Sequence, residues 1–201
     1  MKALKWSGLL TIIIMGCLSS CELIFDYNNY KSINYSISIN FQDASGNDLV
    51  KGIGLKEESW PVDIPEEQAK SGSVNPDLYT LYYIVPEPCR SYTAPSRFDP
   101  PTITMYTYDG LCFLTFGYGH FESQCPAIEV ITFKLKCPYV FGNDAFHELV
   151  TYWEKAYRNG SVTYFKCNRI EFEGSVITDI TIGDGLSGSY TSIATIILKD
   201  R

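Results

Sequence analysis

The sequence predicts a mainly β protein whose strands form an antiparallel β-sandwich. Aromatic residues that favour strands are abundant, with 15 Tyr and 11 Phe among 201 residues. Turn residues separate seven or eight short strand-like segments, and no alternation of strands with helices indicates a parallel sheet. An immunoglobulin-like topology is the first choice for this pattern, and a Greek-key or jelly-roll sandwich is the second.

The first strand is the clearest element of the chain. Residues 33–41 alternate strictly between apolar and polar side chains, which is typical of a half-buried strand. The Asp, Asn, Ser and Gly residues at 43–48 predict a turn, and residues 49–55 predict a short return strand. The polar, proline-containing segment that follows predicts an irregular loop up to residue 76.

The middle of the chain contains the strongest hairpin signal. Asp109-Gly110 separates two strand-like runs, at residues 102–108 and 111–118, and this dipeptide suits a type I′ turn. Before it, a Tyr-rich strand at 78–85 leads into five prolines between residues 86 and 101, which predict a crossing or edge segment. After it, residues 127–137 form a strand whose apolar parity shifts at residue 130, which indicates a β-bulge.

One amphipathic helix is predicted near residues 144–158. Asn143 or Asp144 can cap its start, and Asn159-Gly160 can end it. The apolar residues of this segment fall on one helical stripe: Phe146, Leu149, Val150, Trp153, Ala156 and Tyr157. Strands at 162–172, bent near Asn168, and at 190–198 complete the chain, and the glycine-rich residues 174–189 between them predict a loop or a weak hairpin.

The N-terminus has the three parts of an export signal. Lys2 and Lys5 precede an apolar run at residues 9–16, and small residues follow. The run is shorter than the roughly twenty residues that a membrane-spanning helix needs. Its end, Leu18-Ser19-Ser20-Cys21, resembles the lipobox of bacterial lipoproteins, in which the signal is cut before a cysteine whose thiol carries diacylglycerol. Lipid attachment is therefore predicted at Cys21, with Cys17 as the alternative.

This prediction divides the chain into a signal peptide at residues 1–20, a tether at 21–31 and a single sandwich domain at 32–201. The whole chain resembles small, uncharacterised lipoproteins of the Bacteroides type. The resemblance rests on the lipobox with Glu22, on residues 41–49, and more loosely on residues 137–142 and 169–174. It implies a lipid-anchored, palmitate-carrying protein of the cell envelope, most simply at the outer membrane, on its surface or periplasmic face. It implies no activity and no catalytic residue.

Charge and cysteine content limit the partners. Without residues 1–20 the chain carries 14 basic and 23 acidic residues, a formal charge of −9, which argues against nucleic acid. Five cysteines remain beyond the lipid site: Cys89, Cys112, Cys125, Cys137 and Cys167. Two disulfides with one free thiol are one alternative. A set of buried, reduced cysteines is the other, and it is preferred because three of them lie in strand-like runs.

No motif for catalysis or metal binding is present, so no catalytic residue, metal ligand or cofactor is predicted. His120 with Cys125 lacks the close spacing of a zinc site, and His147 lies far along the chain from both. The Tyr residues of the middle third are the better indication of a surface for a glycan or an envelope protein: Tyr79, Tyr82, Tyr83, Tyr92, Tyr106, Tyr108 and Tyr118. The sequence thus predicts a non-enzymatic binding or structural module. The alternative is an envelope enzyme built from His120, His147 and a cysteine.

Overall fold

The computed structural model describes residues 32–56, 71–86, 89, 101–121, 127–158, 161–177, 179–184, 190–199 and 201. The predicted signal peptide and tether lie outside these ranges. Within them, eleven strands form two sheets. In chain order the strands are β1 Ser32–Asp43, β2 Gly72–Ser73, β3 Thr80–Ile84, β4 Thr104–Tyr108, β5 Leu111–Phe121, β6 Val130–Lys136, β7 His147–Arg158, β8 Ser161–Phe172, β9 Ser175–Ile177, β10 Ile180–Asp184 and β11 Tyr190–Leu198.

The two sheets form a sandwich-like arrangement, as the sequence predicted. The six-stranded sheet has the order β10-β11-β1-β5-β4-β2, and the five-stranded sheet has the order β3-β6-β7-β8-β9. Neighbouring strands are antiparallel except for β1 and β11, which pair in parallel from Ile37 opposite Ser192 to Asp43 opposite Leu198. The predicted immunoglobulin-like topology is not confirmed.

The core lies between the sheets and is organised around the inner face of β1. Tyr35, Ile37, Ile39 and Phe41 are almost completely buried there. At one end of the sandwich the Tyr35 ring contacts Trp153 and Phe165, with ring centroids 5.2 and 5.0 Å away. We call this end, where β1 begins, the Ser32 pole.

At the opposite end the Phe41 ring contacts Phe141 and Phe172, at 5.2 and 6.0 Å. We call this end the Arg201 pole, because β1 ends here beside the end of β11 and the C-terminal Arg201 donates a hydrogen bond to the carbonyl oxygen of Tyr139.

The predicted hairpin and the predicted bend near Asn168 are both confirmed. Asp109 and Gly110 have φ of 51° and 77°, the two left-handed positions that a type I′ turn needs. In β8 the partners of Tyr152 and Trp153 are Arg169 and Cys167, so Asn168 is an extra residue in the ladder, as in a β-bulge.

The bulge predicted at residue 130 is wrong. β6 begins at Val130 and pairs without a register shift with β7. The parity shift arises because Ile128 is buried before the strand starts, where the carbonyl oxygen of Glu129 accepts a hydrogen bond from the Trp153 backbone at 2.8 Å.

The helix predicted at 144–158 is wrong, because residues 147–158 form the central strand β7. Leu149, Thr151 and Trp153 are buried at a period of two. Thr151 lies off the apparent helical stripe and interrupts the apolar alternation of a strand, yet it is buried because its hydroxyl donates to the Ile131 carbonyl and accepts from the Trp153 indole N–H, both at 2.7 Å. β6 and β8 offer ladders on both sides, and these long-range bonds outweigh a local helical preference.

The described residues contain one short α-helix, α1, at Pro138–Phe141. Pro138 suits the first helical position, and Gly142, at φ 71°, ends the turn by donating to the Pro138 carbonyl. The return strand predicted at 49–55 is absent, since within this range only Leu55 makes an isolated bridge, with Val74. The described part of the glycine-rich segment forms the short strands β9 and β10.

Candidate functional site

The predicted lipid-attachment residues, Cys21 and its alternative Cys17, lie outside the described residues, as does Cys125. His120 lies on β5, where its backbone is opposite Ile33 of β1.

Three of the predicted reduced cysteines are free and buried: Cys112, Cys137 and Cys167. Burial raises the pKa of all three thiols, and it raises the pKa of Cys167 to about 11. Because the thiolate is the nucleophile, these groups are unreactive at neutral pH and act as small apolar side chains. The prediction of reduced cysteines is wrong for Cys89, which is buried and disulfide-bonded.

His147 lies at the Arg201 pole and holds strand ends together. Its Nε2 is 3.1 Å from Asn143 Oδ1, its Nδ1 is 3.4 Å from Glu173 Oε1, and its ring lies 4.0 Å from that of Phe141. The same Glu173 oxygen accepts the backbone N–H of Glu148 at 3.0 Å, so the carboxylate links β7 to the turn after β8. Among the described residues, no group of three or more His, Cys, Asp or Glu side chains could hold a metal ion.

The structure does not gather the tyrosines of the middle third into one surface. Tyr118 is buried, and Tyr79 and Tyr83 pack against the core. Tyr106 stacks on Phe113 on the outer face of the six-stranded sheet. Tyr82 and Tyr108, 52% and 64% exposed, lie on different sheets. Tyr92 lies outside the described residues.

The outer face of the six-stranded sheet, which we call the closed face, contains a buried polar network. The Ser38 hydroxyl lies 2.7 Å from that of Thr115 and 3.3 Å from that of Thr191, and Tyr106 also forms a hydrogen bond with Ser38. Ser38 and Asn40 are fully buried although they occupy the polar positions of β1. These polar groups satisfy one another's hydrogen bonds, so few of their donors and acceptors are left to bind a ligand.

The outer face of the five-stranded sheet, which we call the open face, presents aromatic and charged side chains instead. At the Arg201 pole the rings of Tyr82 and Phe146 lie 5.5 Å apart, tilted by 40°, with Lys136 Nζ 5.8 Å from the Phe146 centroid. Further along, the Arg169 guanidinium lies 4.8 Å from the Tyr152 ring centroid.

Ion pairs fill the open face between these aromatic groups. Lys134 lies 3.5 Å from Glu148, and Arg169 pairs with Glu171, which also accepts the Tyr152 hydroxyl at 3.2 Å. Aromatic residues and Arg are the types enriched at protein interfaces. This surface was not predicted from the sequence, because residues 147–158 were assigned to a helix rather than to the strand that places Tyr152 between β6 and β8.

A cleft of about 540 Å³ continues the open face at the Ser32 pole. Its apolar lining includes Ile84 and Val85 at the end of β3 and Ile128 and Val130 at the start of β6. The backbone N–H of Ile128 donates to the Tyr35 hydroxyl at 2.7 Å, which joins the cleft to the beginning of β1. Burial raises the pKa of Tyr35 to about 12, so this hydroxyl stays protonated at neutral pH.

Comparison with family models, with curated proteins and with solved structures finds no match to this chain. In the part of the chain that the structure describes, no helix has the length and apolar character to cross a membrane.

Proposed function

We propose that this protein is a lipid-anchored, non-enzymatic binding or structural module of the bacterial cell envelope, most simply at the outer membrane. The observation that carries the proposal is the segment Leu18-Ser19-Ser20-Cys21, which follows a short apolar run and a basic N-terminus. Lipid chains contribute about 0.8 kcal/mol per buried CH₂, so more than one chain on Cys21 would hold the domain stably.

Two structural observations support this proposal. Cys89 is disulfide-bonded, and disulfides persist in exported proteins rather than in the reducing cytosol. The sandwich also begins soon after the proposed anchor. β1 starts at Ser32, so the chain from Cys21 can extend at most about 40 Å. The domain would therefore stay close to the membrane.

The open face is the surface that we propose for partner binding. Its exposed rings, Tyr82 and Phe146, are tilted against each other and do not form the flat platform on which a sugar ring stacks. Arg169 covers the third ring, that of Tyr152. Aromatic rings beside paired charges suit a protein surface, so an envelope protein is favoured over a glycan.

The lipid anchor is tested by metabolic labelling with palmitate in a bacterial host. We expect the wild type and Cys17→Ala to incorporate label and Cys21→Ala to lose it. Label that persists in Cys21→Ala and disappears in Cys17→Ala would move the anchor to Cys17. Absence of label from the wild type would contradict lipidation altogether.

The binding surface is tested by capture of envelope proteins on the purified full-length protein, with a glycan array in parallel. We expect Tyr82→Ser combined with Arg169→Ala to lose the captured partner. The matched control is Tyr108→Ser, which removes an exposed tyrosine from the other sheet. Equal loss of the captured protein in both variants would exclude the open face as the binding surface. Glycan binding that depends on Tyr82 would show that the ligand is a sugar rather than a protein.

A further inference from the structure

We propose that the cleft beside Ile84 and Val130 docks against the surface of the membrane that holds the lipid anchor. The inference rests on the proposed lipid attachment at Cys21 and adds an orientation to it. Without such contact, a domain on a short tether would sample many orientations. With it, one end of the sandwich is held against the bilayer.

The position of the cleft is the first argument. The anchored chain enters the sandwich at Ser32, and three residues later the Tyr35 hydroxyl accepts the backbone N–H of Ile128, which lines the cleft. Val130 and Ile84 follow on the adjoining strand ends. The cleft therefore lies at the pole where the tether joins the sandwich, within reach of the membrane.

The chemistry of the cleft is the second argument. Ile84 and Val130 are 48% and 39% exposed, although both are aliphatic, and they line the same cleft. Tyr157, close to the end of β7 at the same pole, is also exposed, and Tyr is enriched at membrane interfaces. Exposed aliphatic side chains in a cleft, with an exposed Tyr at the same pole, suit the boundary between headgroups and acyl chains.

Charge selects the kind of membrane surface. The chain is acidic, and Glu129 is exposed at the cleft. An anionic bilayer would repel this surface, so the occupant we infer is a zwitterionic surface such as phosphatidylethanolamine. A short tether holds the cleft at an effective concentration of about 1 mM at the membrane surface. A contact with the bilayer that is too weak to bind a free domain is therefore populated in the anchored protein.

The test places a photoreactive amino acid at position 84 of the full-length, lipidated protein. The matched control places it at position 197, because Ile197 is 58% exposed but lies on the closed face near the Arg201 pole. After irradiation in phosphatidylethanolamine-rich vesicles, mass spectrometry counts lipid adducts. We expect at least five-fold more lipid adducts at 84 than at 197. Folding of each variant is checked by the protection of the three buried thiols from an alkylating reagent.

A second experiment leaves position 84 unlabelled, in case the photoreactive residue there disturbs the cleft. With the photoreactive residue at position 130, Ile84→Asp should lower the lipid adducts at least five-fold, and Ile197→Asp should leave them unchanged. Equal lipid labelling at 84 and 197 in protein retained by the vesicles would overturn the docking and leave the anchor intact.

Two other outcomes also overturn it. Adducts at 84 to a protein or to a second copy would assign the cleft to that partner. Loss of the intact lipidated mass, with release of the protein from vesicles, would refute the anchor itself.

Discussion

The two outer faces of the sandwich have similar alternating strands but opposite characters. On the closed face Ser38 and Asn40 of β1 are fully buried, and they form hydrogen bonds with the side chains of Thr115 and Gln42. On the open face the half-buried Tyr152 ring of β7 lies under the Arg169 guanidinium, and Lys134 of β6 pairs with Glu148 of β7. The polar half of an alternating strand is therefore not always a solvent surface, and a binding site is identified by the side chains left exposed.

The largest expected effect comes from adding one carbon to the closed face. A Cβ at Gly117 would overlap the backbone carbonyl oxygen of Tyr35. We expect Gly117→Ala to lower the free energy of unfolding by about 3 kcal/mol, measured by chemical denaturation. Gly72→Ala is the control, because its Cβ would meet only the Leu55 side chain, at 3.3 Å. Equal stability of the two variants would show that the closed face can relax.

Removal of the buried Asn40 amide should lower the free energy of unfolding by a somewhat smaller amount. The β1–β5 ladder ends at Ile39 opposite Leu114, and beyond it the Asn40 amide donates to the Cys112 carbonyl at 2.8 Å. Asn40→Ala leaves that carbonyl without this donor, and we expect a loss of about 2 kcal/mol. Thr195→Ala, an exposed neighbour on β11, should change stability by less than about 0.5 kcal/mol. A neutral Asn40→Ala would contradict the role of this network.

Alkaline pH should destabilise the folded protein through a thiol in the core, rather than through groups on either outer face. Burial raises the pKa of Cys167 from 9.0 to about 11, so the unfolded chain loses this proton at a lower pH than the folded protein does. The contribution to stability is complete below pH 9 and is lost as the pH rises toward 11. By pH 10 we expect a loss of about 1.4 kcal/mol from this thiol.

Denaturation curves at pH 8 and pH 10 measure this loss. Cys167→Ala should depend less on pH than the wild type, and the rise in the pKa of Tyr35 to about 12 should leave a residual dependence in the same direction. A variant whose pH dependence matched that of the wild type would contradict the assignment to Cys167.

The smallest effect is expected on the open face. Arg169 makes an exposed ion pair with Glu171 and covers the Tyr152 ring. Arg169→Ala should therefore lower the free energy of unfolding by less than about 1 kcal/mol, and by less still at high salt. A larger loss, seen in denaturation at two salt concentrations, would mean that the open face stabilises the fold as the closed face does.

Several elements could be predicted because the signal is local. Strict alternation identified β1, and Asp109-Gly110 identified the hairpin because few dipeptides accept two consecutive positive φ angles. The bend near Asn168 was also predicted from the sequence, and the extra residue in the β7–β8 ladder confirms it. β7 could not be identified in this way, since Leu149 and Trp153 lie on one side of both a helix and a strand and only pairing with β6 and β8 decides between them.

The sequence by itself determined the strand-rich fold class and the acidic charge, and it predicts an export signal with a segment that resembles a lipobox, because each of these depends on residue type and near-neighbour order. The tertiary structure decided which polar residues are buried, which thiols are shielded and where an apolar cleft opens. Those properties depend on contacts between residues far apart in the chain, such as Tyr35 with Ile128 and Ser38 with Thr191. No local pattern contains that information.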